Sequence, residues 1–395
     1  MVNQLPKGWK EEELGKHANI KRGSTITKKQ VVHGDYPVVA GGKEAAYYHN
    51  EYNRQPPVIT VSGSGASAGY VNYWEVPIFA SDCCTIEEKD LNIKYIYYFL
   101  KSRQQELLDK QVGVAIPHVS PKDVSPLLIP YPTDKGEQKY IVDTLDAVAE
   151  MIRLRKETIQ LTKDLIPAIF HEMFGDPITN PKGWDKKNLG QVCDVRSGNA
   201  FPERYQGYTN GKPFYKVGDI SRTIEENHIY LDKAKNYITD EIAQIIKAKS
   251  FSKNTIVFAK VGEALRLNRR ALISKDAFID NNVMGVSIKE DCNDLHYLYL
   301  YYHFVCNINL NFIKKEGAIP SVNNKDINNL YLPIPPLSLQ KDFAKKVEQI
   351  NDYIIAQQEE LEQFETLFQS LLQEAFTGVL TWKYPRKECH DKKDK

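Results

Sequence analysis

The sequence predicts two tandem globular domains rich in short strands, each followed by a long helix that packs on the other. Two observations support this prediction. Landmarks near the N-terminus recur 175 residues later, and an apolar heptad pattern recurs 202 residues later. Self-similarity at a fixed spacing indicates that one structural unit occurs twice. The predicted segments are a first domain (1–134), a first helix (135–179), a second domain (180–337), a second helix (338–380) and a charged tail (381–395).

Both long helices show apolar residues in alternating steps of four and three, which is the period of a coiled coil. A helix of this length spans roughly 55–60 Å and cannot bury a narrow seam alone. We therefore expect the two helices to pack together; the alternative is that each packs only on its neighbouring domain. Arg155 in one copy and Gln357 in the other interrupt the seam. The predicted seam residues are Leu145, Val148, Ile152, Ile159, Ile166, Val347, Ile350, Ile354, Leu361, Phe364 and Phe368.

Composition and charge narrow the class of protein. The chain has 395 residues, of which 42% are apolar and 26% charged, as in ordinary globular proteins. It begins with no signal peptide and contains no apolar run of the ~18 residues that a membrane span needs, so we expect a cytoplasmic protein. The six cysteines form no C-x-x-C pair, which argues against a metal site. Residues 180–337 carry 22 Lys and Arg against 17 Asp and Glu, a net +5, whereas residues 5–134 carry 15 of each.

The first domain opens with Pro6-Lys7-Gly8-Trp9 and a predicted strand that ends at a glycine. Short strands are predicted in 36–42 and 57–61, and the small residues of 62–69 predict a tight loop. This loop lacks the spacings of a nucleotide-binding loop. It is either a plain hairpin connection or a place where a DNA backbone approaches closely. A helix is predicted over 92–105.

The second domain repeats the opening as Pro181-Lys182-Gly183-Trp184 but differs in the middle. The stretches 215–220 and 256–262 replace the two strand segments of the first copy, and a tyrosine-rich helix is predicted over 296–304. Between them, three guanidinium groups and one amide lie within residues 266–270. Such groups suit phosphates or the edges of guanine and adenine, although a solvated charge run explains them equally well.

The two copies converge again where each long helix begins. The triplet at 115–117 recurs at 318–320, and a proline-rich string leads into Gln138 in one copy and Gln340 in the other. Proline disfavours helix in the residue before it and is accepted in the first turn of a helix. These strings therefore mark the end of each domain and the start of each helix.

The two domains are alike at their borders and unlike in their middle regions, and each is followed by a helix with a heptad pattern. In this organisation the chain resembles the specificity subunit of type I restriction-modification systems. The resemblance covers nearly the whole chain. It also rests on the similar strings that end the two long helices and begin at Glu172 and Glu374. It implies an α+β fold and helices that pair antiparallel as a spacer. It further implies that each domain reads one half of a split target in double-stranded DNA. The implied partners are methyltransferase (modification) subunits, two of them, and through them the restriction subunits, which are the motor and nuclease. No cofactor is implied.

Candidate DNA contacts under this resemblance are basic, amide, hydroxyl and aromatic residues of the loops and strand ends. They are Lys21, Arg22, Lys43, Ser62, Ser64, Tyr70, Lys216, Asp219, Lys260, Arg266, Asn268, Arg269, Arg270 and Asn281.

No catalytic motif is evident in the sequence. The D-P-P-Y type of methyltransferase motif, the phosphate-binding G-K-[ST] loop and H-E-x-x-H are all missing from it. The sequence thus favours a subunit that leaves catalysis to its partners. Two alternatives stay open at this point: a scaffold that bridges proteins without binding DNA, and a self-sufficient DNA methyltransferase.

Overall fold

A computed structural model describes residues 5–109, 118–313 and 320–380 of the chain. It divides into two compact units: unit 1 comprises Met1–Glu157 and Gln357–Lys395, and unit 2 comprises Thr158–Ala356. The triplet at 115–117, most of the triplet at 318–320 and the tail 381–395 lie outside the described residues.

Unit 1 contains a four-stranded antiparallel sheet, a three-stranded sheet and a two-stranded ribbon. Their orders are β2-β8-β5-β6, β4-β3-β7 and β1-β9. The strands are β1 (Trp9–Glu13), β2 (Ala18–Arg22), β3 (Tyr36–Val39), β4 (Tyr47–His49), β5 (Val58–Ser62), β6 (Val71–Trp74), β7 (Phe79–Ala80), β8 (Cys83–Glu88) and β9 (Leu128–Pro132). The short helices are α1 (Leu14–His17), α2 (Ile93–Ser102), α3 (Gln104–Asp109) and α4 (Pro121–Val124), and the long helix α5 (Lys135–Phe174) starts here.

Unit 2 repeats this plan with additions. Its strands are β10 (Asp185–Asn188), β11 (Cys193–Ser197), β12 (Lys212–Tyr215), β13 (Tyr230–Leu231), β14 (Tyr237–Ile238), β15 (Ile256–Ala259), β16 (Arg270–Ile273), β17 (Phe278–Ile279), β18 (Val283–Ile288) and β19 (Tyr331–Ile334). Its helices are α6 (Leu189–Val192), α7 (Val217–Glu225), α8 (Asp240–Ile245), α9 (Glu263–Arg266), α10 (Tyr297–Asn307), α11 (Leu310–Ile313), α12 (Asn324–Asn328) and the start of the long α13 (Leu337–Thr377). The strand orders are β11-β18-β15-β16-β13, β14-β12-β17 and β10-β19.

The two copies share their strand register as well as their strand order. Glu12 pairs with Ile129 in the ribbon of unit 1, and the residues shifted by 175 and 203 form the pair Lys187 and Leu332 in unit 2. In the larger sheets, β8 pairs with both β2 and β5 in unit 1, and β18 pairs with both β11 and β15 in unit 2 in the same way. A shift of one residue would turn every side chain to the other face, so this agreement confirms that the sequence repeat is a structural repeat.

The glycine that ends the second strand of each copy is required by close packing of the backbone. A Cβ atom on Gly23 would lie 2.1 Å from the carbonyl oxygen of Ser81. On the equivalent Gly198 it would lie 2.0 Å from the carbonyl oxygen of Ile279. Only a residue without a side chain fits between these strands.

The middle of the second copy differs from the first, and in part from the prediction. Residues 215–220 do not form a strand like the one in the first copy, because β12 ends at Tyr215 and helix α7 begins at Val217. The helix is favoured there by a capping interaction, in which Asp219 accepts a hydrogen bond from the backbone N–H of Lys216 at 2.8 Å. Strand β13, which pairs with β16 in parallel, is a further addition to the larger sheet.

The long helices pack against each other as an antiparallel coiled coil. In unit 1, Ile141 and Leu145 near the start of α5 share a core with Leu372 and Phe376 near the end of α13. In unit 2 the opposite ends of the two helices meet, and Phe170 near the end of α5 packs on Phe343 near the start of α13. Ion pairs flank the seam in unit 1, from Arg155 to Glu360 at 2.6 Å and from Lys156 to Glu365 at 2.7 Å. The predicted pairing of the two helices is therefore confirmed, and the helix ends also complete the domain cores.

Burial along the predicted seam is uneven. Five of the predicted residues on α5 and α13 are at most 5% exposed: Leu145, Ile159, Ile166, Val347 and Ile354. Val148 is also buried, while Ile152, Ile350, Leu361, Phe364 and Phe368 are half-buried. Gln357 is 1% exposed, and both polar atoms of its amide lack a hydrogen-bond partner in the described part of the chain. Among the described helices, none is both long and apolar enough to cross a membrane.

Candidate nucleic-acid interface

Two loops of unit 1 hold each other in place next to the candidate residues. The loop after β5 contains a 3₁₀ turn at Gly65–Ser67, as the small residues predict. A Cβ atom on Gly41 in the loop after β3 would lie 2.3 Å from the carbonyl oxygen of Ser64. The Ser62 hydroxyl donates to the carbonyl of Gly42 at 2.8 Å, and the Asn72 amide donates to the carbonyl of Lys43 at 2.9 Å. The backbone around Lys43 is therefore fixed on both sides.

Ser62 and Ser64 differ from the expectation that both present their hydroxyls to a ligand. Ser62 is 1% exposed, and its hydroxyl is used to support the neighbouring loop. Ser64 is half-buried and donates to the carboxylate of Asp82, while its backbone bridges to His118. These hydroxyls organise the loop, and the exposed groups around them are the ones available to a partner.

The exposed cations of unit 1 lie in different settings. Lys21 pairs with Glu87 at 3.0 Å. Arg22 lies at the end of the edge strand β2, is exposed, and its carbonyl accepts a hydrogen bond from Arg54 at 3.0 Å. Lys43 lies over the ring of Tyr70, with its ammonium 5.4 Å from the ring centroid. A second lysine, Lys101 of α2, lies over the same ring at 4.6 Å.

In unit 2, Lys260 belongs to a polar cluster around Ser197. Its ammonium donates to the Ser197 hydroxyl at 2.9 Å, and that hydroxyl lies 3.5 Å from the side-chain oxygen of Asn324. Lys216 donates to the amide oxygen of Gln206 at 3.2 Å, and both are half-buried. Asn281 is exposed in the turn between β17 and β18.

Asp219 and Arg270 are buried, which differs from their expected display to a ligand. Asp219 is 2% exposed, caps α7 and pairs with Arg222 at 2.7 Å. Arg270 is 4% exposed in β16, where burial lowers its pKa to about 10. Its guanidinium donates to the backbone carbonyls of Asn268 and Ile308. Both side chains stabilise the domain internally.

The stretch 266–270 is thus not one cationic surface. Arg266 ends α9, is exposed and pairs with Glu263 at 3.2 Å. Arg269 is half-buried and pairs with Glu225 at 2.7 Å. Asn268 has a φ of 55°, and its side-chain oxygen accepts hydrogen bonds from Arg270 and from the backbone of Leu310. Asparagine tolerates this left-handed conformation, so its role here is to shape the turn.

Sequence reasoning missed two cationic residues. Arg196 lies over the ring of Phe251, with its guanidinium carbon 3.8 Å from the centroid, and burial lowers its pKa. It is the counterpart of Lys21 at the 175-residue shift, so the repeat itself could have identified it. Lys101 lies in a helix whose pattern indicates only packing, and no local motif distinguishes it.

The candidate residues offer ammonium, guanidinium and amide groups, which suit a phosphate backbone and base edges. In the described ranges, no three His, Cys, Asp or Glu side chains are grouped so that they could hold a metal ion. The fold is thus a duplicated α+β domain with paired long helices and loops that differ between the two copies.

The chain matches the family described as "Type I restriction modification DNA specificity domain" over residues 6–163 and 181–366, and it belongs to that family. Members of this family are the non-catalytic subunits that give type I restriction-modification systems their DNA sequence recognition. This membership sets aside the self-sufficient methyltransferase.

Relatives of similar length support the assignment. The chain is 23% identical to the type I restriction enzyme MjaIX specificity subunit of Methanocaldococcus jannaschii, over 96% of this chain and 95% of that protein. It is 22% identical to the type I restriction enzyme EcoDI specificity subunit of Escherichia coli, over 96% of this chain and 90% of that protein. Among solved structures, the S subunit from M. genitalium has a TM-score of 0.56 at 19% identity, covering 94% of this chain and 98% of that chain. At this identity the structural likeness shows the fold alone.

Proposed function

We propose that the chain reads a bipartite, asymmetric target in double-stranded DNA, with residues 1–134 and 180–337 as its two target recognition domains. The observation that carries this proposal is the contrast between borders and middles. The border ribbons keep one register in both copies, while helix α7 and strand β13 occur in the second copy alone among the described elements. A shared frame with unlike middles suits two heads that read different sequences.

The DNA contacts in this proposal are the exposed or half-buried candidates. Cations suit phosphates, and an exposed amide suits adenine. In unit 1 they are Lys21, Arg22, Lys43 and Tyr70; in unit 2 they are Lys216, Lys260, Arg266, Arg269 and Asn281. Arg196 joins this set as the counterpart of Lys21.

The two long helices serve as the spacer in this proposal. They have 40 and 41 residues, which corresponds to about 60 Å each. DNA readers on one face of a duplex must lie about one helical turn apart, roughly 34–36 Å or a multiple of it. Paired helices of this length are suited to fixing such a distance.

The outer surfaces of the same helices are proposed to dock two methyltransferase subunits, and through them the restriction subunits. Apolar side chains remain exposed there. They are Met151, Leu154 and Leu367 in unit 1, and Leu161, Leu165, Tyr353 and Ile355 in unit 2, each 44–61% exposed. These exposed apolar side chains on both helices are the observation that supports a protein interface there.

Sequencing of methylated motifs in a host that expresses the modification complex tests the bipartite reading. Replacing residues 180–337 with the second domain of another family member should change one half of the methylated motif and leave the other half intact. Changes in both halves would contradict the assignment of one domain to one half-site. A chain whose complex methylates no split motif would refute the proposal as a whole.

Lengthening α5 tests the spacer role separately. Inserting four residues after Ile159 adds about 6 Å of helix. The expected result is a changed number of unspecified bases between the half-sites, or loss of modification. An unaltered motif, methylated at the normal level, would show that the helices do not set the spacing.

A further inference from the structure

Two lysines of unit 1 share one aromatic ring. The ammonium of Lys101 lies 4.6 Å from the ring centroid of Tyr70 and 5.9 Å from that of Tyr97. The ammonium of Lys43 lies 5.4 Å from the centroid of Tyr70. The face of an aromatic ring attracts a cation, so each contact is favourable by itself. Two like charges are thus placed against the same ring.

Neither lysine forms an ion pair in the part of the chain that the structure describes. Neither ammonium lies within 4.0 Å of a carboxylate there. Lys101 is half-buried, and its pKa is lowered by burial and then by the charge of Lys43. Lys43 is exposed, and two neighbouring like charges repel each other unless an anion is added.

The pair is also held in position before any ligand arrives. The backbone of Lys43 accepts a hydrogen bond from Asn72, and the adjacent Gly42 accepts one from Ser62. Lys101 comes from helix α2, whose residues Tyr98 and Phe99 are buried in the core of unit 1. A site that is fixed in advance loses little conformational entropy when it binds.

We propose that Lys101 and Lys43, together on Tyr70, bind a backbone phosphate of the target duplex. The inference rests on the proposed function, and it adds Lys101 to the DNA contacts. A phosphodiester group supplies the missing negative charge and accepts hydrogen bonds from both ammonium groups. Tyr95 of α2 and Tyr299 of α10 are equivalent at a shift of 204, because each donates to a proline carbonyl at the border ribbon, Pro130 and Pro333. At that shift the residue equivalent to Lys101 is Val305, so the site belongs to the first copy alone.

The salt dependence of DNA binding tests this site. The full chain, with its modification subunits, is titrated with a duplex carrying its methylated motif at several salt concentrations. The logarithm of the binding constant falls linearly with the logarithm of the salt concentration, and each neutralised phosphate makes this fall steeper by about 0.9. Lys101→Met keeps the side chain packed on the rings and should reduce the slope by about 1. Between ~50 and ~200 mM salt, the wild type should lose about three- to fourfold more affinity than the variant.

Lys94 on the same helix provides a matched control. It also lies over a tyrosine ring, at 5.7 Å from the centroid of Tyr73, but Asp146 pairs with it at 2.9 Å. Lys94→Met should leave the slope unchanged, whereas Lys43→Gln should reduce it as Lys101→Met does. Lys101→Arg keeps the charge and should keep the wild-type slope. A reduced slope in Lys101→Met alone is then due to the lost charge and not to misfolding.

The outcomes separate this inference from the proposed function. A wild-type complex that prefers its motif, combined with an unchanged slope in Lys101→Met, would overturn the phosphate site alone. A wild-type complex that binds its motif and a scrambled duplex equally would overturn the proposed function and the site with it.

Discussion

The ring of Phe376 meets the ring of Tyr95 edge to face, with 5.2 Å between their centroids. Phe376 lies at the end of α13 and Tyr95 in helix α2 of the first domain. The equivalent pair in unit 2 is Phe174, at the end of α5, and Tyr299, at 4.7 Å. In each unit, the C-terminal end of one long helix is thus locked into the core that contains the tyrosine-rich helix.

This contact predicts a large loss of stability when the ring of Phe376 is removed. Phe376 is 7% exposed and also packs on Phe99, so Phe376→Ala should lower the free energy of unfolding by about 3–5 kcal/mol. Urea denaturation of the full chain measures the change. Leu367→Ala on the same helix is the control, because Leu367 is 46% exposed and its loss should change stability by less than about 0.5 kcal/mol. Equal effects would show that the end of α13 is not anchored.

The arginines near α9 are expected to act in different ways. Arg270→Ala removes a buried side chain and leaves the carbonyl of Ile308 without its donor, so it should destabilise the protein by about 2–4 kcal/mol. Arg266→Ala removes an exposed group and should weaken DNA binding with little change in the melting temperature. Thermal melts and mobility shifts on both variants check this division. A normal melt for Arg270→Ala would contradict it.

Gln357 is expected to lower the stability of the coiled coil. Its buried amide has no hydrogen-bond partner among the described residues, and a buried unsatisfied amide costs about 1–3 kcal/mol. Gln357→Leu should therefore raise the midpoint of urea denaturation. The same change at the exposed Gln363 should leave the midpoint unaltered. Destabilisation by Gln357→Leu would mean that the amide has a structural role which the substitution removes.

The stability of unit 2 should fall in mild acid because of His303. Burial lowers the pKa of this ring to about 4, against 6.5 for a free histidine. Between these two pH values the unfolded chain binds a proton at this ring and the folded chain does not. Stability from this group is complete above pH 6.5 and is lost as the pH falls from there towards 4. Between pH 7.5 and 5 the loss amounts to about 2 kcal/mol.

Urea denaturation across this pH range compares the wild type with His303→Phe, which fills the same space without a titrating nitrogen. The variant should lose about 2 kcal/mol less than the wild type on acidification. A substitution of the exposed His228 by Asn provides the control and should keep the wild-type dependence. Parallel curves for the wild type and His303→Phe would refute the assignment.

Repeats and periodicities were readable in the sequence because they depend on local spacing. The 175-residue shift aligns Glu12 with Lys187, and in the structure each of the two residues has the equivalent strand partner in its own ribbon. The heptads likewise predict helices close to Lys135–Phe174 and Leu337–Thr377. The mixed fold and the paired helices followed from these patterns and from the family resemblance.

The candidate site was less predictable, since residue type does not report burial. Arg270 and Asp219 look like surface groups in the sequence, yet neighbours far along the chain bury them. Lys101 gave no signal at all, because its significance depends on Tyr70 and Lys43 lying beside it in space.

The sequence by itself determined that this protein is a duplication, where its domains meet its helices, and that its two middles differ. Each of these follows from residue spacing, to which backbone periodicity responds directly. Only the tertiary structure decided which cations remain exposed and which helix end completes which core. Burial and contact arise from segments that are distant in the chain, so Phe376 could be assigned to Tyr95 only after the chain had been folded.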